Sequence, residues 1–75
     1  MADTFADGVY VLAATKGGEV EYWAVATRRE AAVWTVQDLV APGWTAALTD
    51  RRLTQGQVAE LKLRPNSARK LKYVP

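Results

Sequence analysis

Seventy-five residues without a cysteine or a histidine exclude a disulfide framework, a thiolate or imidazole metal site, and every Ser–His or Cys–His nucleophile pair. Three tryptophans, three tyrosines and many Val, Leu and Ala must therefore build the core of one small domain spanning 1–75, which by size scaling buries only about 60% of the surface its unfolded chain exposes. The net charge of +2 conceals a split: residues 1–50 carry three basic and seven acidic side chains, a balance of −4, and residues 51–75 carry seven basic and one acidic, a balance of +6.

Residues 1–7 read as a loose acidic arm. The apolar run from Val9 to Ala14 is too short for a membrane span and has no basic segment before it, so a cytoplasmic protein without membrane contact is expected. Gly8 to Thr15 and Glu19 to Ala26 read as two strands joined by Lys16-Gly17-Gly18. A Gly-Gly pair suits a primed turn, whose central residues both need φ > 0. That turn sets Lys16 against Glu19 as a cross-strand ion pair, Ala13 against Tyr22, Leu12 against Trp23 and Tyr10 against Val25. One hairpin face then carries Val9, Val11, Ala13, Val20, Tyr22, Ala24 and Ala26, small enough to receive a helix. The other carries Tyr10, Leu12, Glu21, Trp23 and Val25. Neither face is plainly polar, so one helix does not account for both.

Thr27-Arg28-Arg29-Glu30 has the spacing of a capping box and predicts a helix from Arg28 to about Val40, stopped by Ala41-Pro42-Gly43. Ala31, Ala32, Val33, Val36, Leu39 and Val40 form its apolar stripe, while Trp34 falls among Glu30, Gln37 and Asp38 on the polar side. Trp44 to Thr49 reads as a third strand. Thr54 as N-cap, Gln57 at N3, and Leu53 with Val58 as a hydrophobic staple predict a second helix from about Gln55 to Lys62, weakened by Gly56. Residues 64–75 read as a basic turn at Pro65 followed by an edge strand from Ala68 to Val74. The expectation is an α+β fold, ββαβαβ in order, with a largely antiparallel sheet packed on one main helix and a short second helix.

Catalytic chemistry finds little to stand on. Ser67 and Lys70 have Ser-x-x-Lys spacing but sit at a proline turn, not on one helical turn inside a cleft. Gly17-Gly18 leads to neither a Walker lysine nor a helix. Glu19 and Glu21 share a strand face beside a hairpin turn and read as a solvated pair, not an acid/base couple. No enzyme activity, cofactor or metal is expected. Surface for recognition remains. Tyr10, Leu12, Trp23 and Val25 form an aromatic patch that marks a partner site, or the seam of a two-fold homodimer, unless the second helix or the last strand covers it. Trp34 is a further partner-binding candidate, unless Phe5 or the tail packs over it. The basic patch of Arg51, Arg52, Lys62, Arg64, Arg69, Lys70 and Lys72 suits phosphates or an acidic protein surface, or else neutralises the chain's own acidic half. Arg69, Lys70, Lys72 and Tyr73 interleave cations with an aromatic, as single-strand binders do.

In size and layout, carried by the strand-to-helix block Tyr22 to Leu39 and the Gly17-Gly18 hairpin, the chain resembles the small phage-encoded anti-CRISPR proteins. The likeness covers most of the chain and includes no shared motif, so it transfers no functional residue. It implies a non-catalytic inhibitor that occupies a surface of a host complex, often one that otherwise meets nucleic acid. The expected function is thus binding to a protein or nucleoprotein complex. The alternative is a small nucleic-acid-binding protein that works through its basic carboxy-terminal segment.

Overall fold

The computed structural model describes residues 8–75; the acidic arm expected at 1–7 lies outside the described residues. The elements run β1 (Tyr10–Lys16), β2 (Glu19–Ala26), α1 (Arg29–Gln37), β3 (Thr45–Leu48), α2 (Gln55–Leu61) and β4 (Ser67–Lys70). The four strands form one antiparallel sheet in the order β3-β1-β2-β4, so the α+β class and the ββαβαβ order hold.

The Gly-Gly turn does what its sequence demands. Gly17 and Gly18 take φ of 54° and 88°, and the register follows with Lys16 opposite Glu19, Leu12 opposite Trp23 and Tyr10 opposite Val25. The ion pair forms elsewhere. Lys16 lays its aliphatic stem beside Gly43, whereas Glu21 pairs with Lys70 of β4 at 2.5 Å.

Both sheet faces are covered, and the first helix takes the face opposite to the small-residue face expected to receive it. α1 lies on the face of the large side chains, where Leu12 and Val25 join Ala32, Val36 and Ala46 in one buried cluster flanked by Tyr10, Trp23, Val33, Val40, Leu48 and Ala68. The smaller face, with Val11 and Ala24, is closed by Leu53 and Leu71, with Val9, Tyr22, Val58, Leu61 and Leu63 packed around them. Volume decides the assignment. An alanine- and valine-lined helix fills the spaces between Leu12, Trp23 and Val25, while long leucines reach down to the shallow face, so each layer pairs large with small at interior density.

The first helix departs from its sequence signals at both ends. Its N-cap is Arg28, which makes no side-chain capping bond. The Thr27 hydroxyl instead donates to Asn66 Oδ1 at 3.0 Å, because pairing of Ala26 with Ser67 holds Thr27 in line with β2 and out of the capping position. The helix ends at Gln37, so Leu39 leaves the helical phase and is 54% exposed. At α2 the capping box is complete: Gln57 N–H donates to Thr54 Oγ1 at 3.2 Å and Thr54 N–H donates to Gln57 Oε1 at 2.9 Å. α2 buries no residue fully and stops at Lys62, a left-handed residue with φ of 53°, where a lysine costs about 1 kcal/mol or more relative to glycine. With only Val58 and Leu61 docked, α2 is marginal and its intrinsic propensity adds directly to its stability. Gly56→Ala is therefore expected to stabilise the domain by about 1 kcal/mol, seen as a Tm rise of roughly 4–8 °C; an unchanged Tm would mean that Gly56 is needed for a reason other than helix formation.

The sheet's two edges differ. Beside β3, the Gln37 side chain accepts from Ala46 N–H at 2.9 Å and donates to Trp44 C=O at 2.7 Å, making the two bonds that a neighbouring strand's peptide would make. β4 is the other edge. It is shorter than its alternating sequence predicts: after Lys70 the chain turns, with Leu71 N–H still bonded to Tyr22 C=O at 2.7 Å and the Leu71 side chain buried.

Candidate interaction surfaces

The aromatic patch read from the hairpin is not a surface. Leu12 and Val25 are fully buried beneath α1, and Tyr10 and Trp23 are half-buried against the same cluster. The indole N–H of Trp23 is itself buried and has no hydrogen-bond partner among the described residues. The expected two-fold seam through Trp23 disappears with the patch, since α1 occupies the face it would have used. Sequence alternation alone did not reveal this, because it shows that a face is apolar and not what will cover it.

Trp34 is different. It stands on the outer side of α1 with 73% of its surface exposed, the most exposed of the large hydrophobic side chains among the described residues. Glu30 and Asp38, four residues before and after it, are exposed on the same side of the helix. Trp34 stands outside both buried clusters, and its flanking carboxylates give the face an acidic rim.

The basic patch separates into parts. Arg51 turns inward to the chain's own end, its guanidinium 5.2 Å from the Tyr22 ring centroid and its Nη1 donating to the Pro75 carbonyl at 2.6 Å. Lys70 is paired with Glu21. Lys62, Arg64 and Arg69 come together around one groove of about 410 Å³, with Leu63, Ser67 and Ala68 completing its wall. Lys72 lies on a second groove with Val20, Tyr73 and Val74, all three exposed. Sequence reading missed that apolar group. Its signal was the position of Val20 beside the hairpin tip, where β2 extends past the end of β4.

The division follows from strand geometry. Arg69 pairs with Ala24 and Lys70 with Trp23, and neighbouring residues of a strand point to opposite faces. Arg69 therefore joins the side of α2, and Lys70 the side of α1. Arg52 is exposed on the loop before α2. Among the described residues no three carboxylates gather into a metal-holding group, no charged side chain is buried, and no helix is long and apolar enough to cross a membrane. Ser67 is engaged by its own turn: its hydroxyl donates to Arg64 C=O and accepts from Arg64 N–H. Comparison with protein-family models, curated proteins and solved structures finds no match to this chain.

Proposed function

We propose that the chain is a non-enzymatic, cytoplasmic binding protein that acts by occupying a surface of a partner protein or nucleoprotein complex, in the manner of the anti-CRISPR inhibitors it resembles in layout. The observation that carries this reading is Trp34, 73% exposed at the centre of the outer face of α1. Tryptophans of this kind are the anchors of protein interfaces, where a few aromatic side chains supply most of the binding energy. Glu30 and Asp38 beside it favour a partner whose apolar pocket is rimmed by lysine or arginine.

Trp34→Ala provides the test. Because the side chain contributes little to the core, the variant should fold with a stability within about 0.5 kcal/mol of the parent. Its affinity for the partner should fall by about 2 kcal/mol or more, some thirtyfold. Affinity capture from the native host, with parent and variant and with and without nuclease, reads this out. Equal capture by both forms would remove α1 from the interface, and loss of every partner on nuclease treatment would transfer the function to nucleic-acid binding.

A further inference from the structure

A second surface, independent of Trp34, lies between the end of α2 and β4. We infer that the groove lined by Lys62, Arg64 and Arg69 binds the phosphodiester backbone of a nucleic acid. The three cations come from three different elements, the α2 cap, the following turn and β4, and none of them makes an ion pair among the described residues. Like charges brought together without a counterion repel, so the arrangement suits a bound anion better than charge neutralisation, which Lys70 achieves with Glu21.

The groove is also pre-set. Arg64 is tied to β4 through both bonds of Ser67, its N–H donating to Ser67 Oγ at 3.0 Å and its C=O accepting from that hydroxyl. Among the described residues the non-glycine residues with positive φ are Lys62 and Asn66, and they bracket this turn. A position that glycine would fill without strain holds a cation instead. Two of the three side chains are arginines, whose planar fork grips phosphate oxygens in pairs. The wall contains no aromatic residue. A phosphate backbone needs only donors and charge, both of which the groove supplies.

The test is a fluorescence-anisotropy titration with labelled single strands and duplexes of DNA and RNA, and with poly-glutamate. Three phosphate contacts predict that affinity falls about twentyfold on a single strand and about fortyfold on a duplex between roughly 50 and 200 mM salt. The combined variant Lys62→Gly, Arg64→Gln and Arg69→Gln should abolish the salt-dependent binding, while Lys72→Gln and Trp34→Ala should leave most of it in place. Lys62→Gly alone should fold at least as well as the parent and lower the single-strand salt slope by about 0.7, which decides the matter if the combined variant fails to fold. The inference is overturned by any of three results: no nucleic acid bound at about 50 mM salt, equal binding of poly-glutamate, or an unchanged slope in Lys62→Gly. None of these bears on Trp34, whose own capture experiment stands or falls separately.

Discussion

Val36→Asp should abolish the cooperative melting transition. Val36 is fully buried among Leu12, Val25, Ala32 and Ala46, and among the described residues no cationic side chain is buried to pair with a carboxylate. Burying an unpaired charge costs several kcal/mol even after the group protonates, against a total stability of about 4–11 kcal/mol for a chain of this length. Leu39→Asp is the matched control. Both residues belong to the apolar stripe read from the sequence, yet Leu39 is 54% exposed and its replacement should change stability by no more than about 0.5 kcal/mol. Circular dichroism melts of the two variants separate the folded arrangement from the sequence stripe. If both unfold, α1 extends further than Gln37; if neither does, α1 does not rest on Val36.

Leu53→Ala should have the next largest effect, on the opposite layer. Leu53 is 1% exposed and belongs to a cluster of only four buried residues, with Val11, Ala24 and Leu71. Truncating a buried leucine to alanine costs about 2–5 kcal/mol through lost burial and the cavity left behind, which in a domain of this size lowers Tm by at least about 10 °C. The loss should be concentrated at α2, which has no fully buried residue of its own, so its amides should exchange with solvent faster than those of β1 and β2. A Tm within a degree or two of the parent would show that the second face of the sheet does not depend on this layer.

The parts of the fold that were legible in the sequence are those set by local chemistry. The Gly17-Gly18 turn determined the hairpin register to the residue, and Thr54 with Gln57 determined the start of α2, since in each case the deciding contacts lie within a few residues. Choices settled by distant partners were not legible. Thr27 had the spacing of an N-cap, but Asn66, thirty-nine residues away, took its hydroxyl. The hairpin's two faces were both apolar, and which helix each received depended on matching side-chain volumes across layers that alternation does not encode. For the same reason the aromatic patch was misplaced, whereas Trp34, outside every apolar periodicity, was correctly set apart from the stripe. The basic residues were visible as a charge excess, but only the fold separates those engaged internally, such as Arg51 and Lys70, from those that line a groove.

The glutamine at the edge of β3 also limits how copies of this protein could join. Sheets extend by adding strands wherever edge peptide groups stand free, and on β3 the groups of Trp44 and Ala46 are already taken by Gln37. Two copies pairing through β4 would form one continuous sheet with β3 at both ends, where the Gln37 amide occupies the Trp44 C=O and the Ala46 N–H. A further copy adding there would first have to displace that side-chain amide, which opposes growth by strand addition into a fibre.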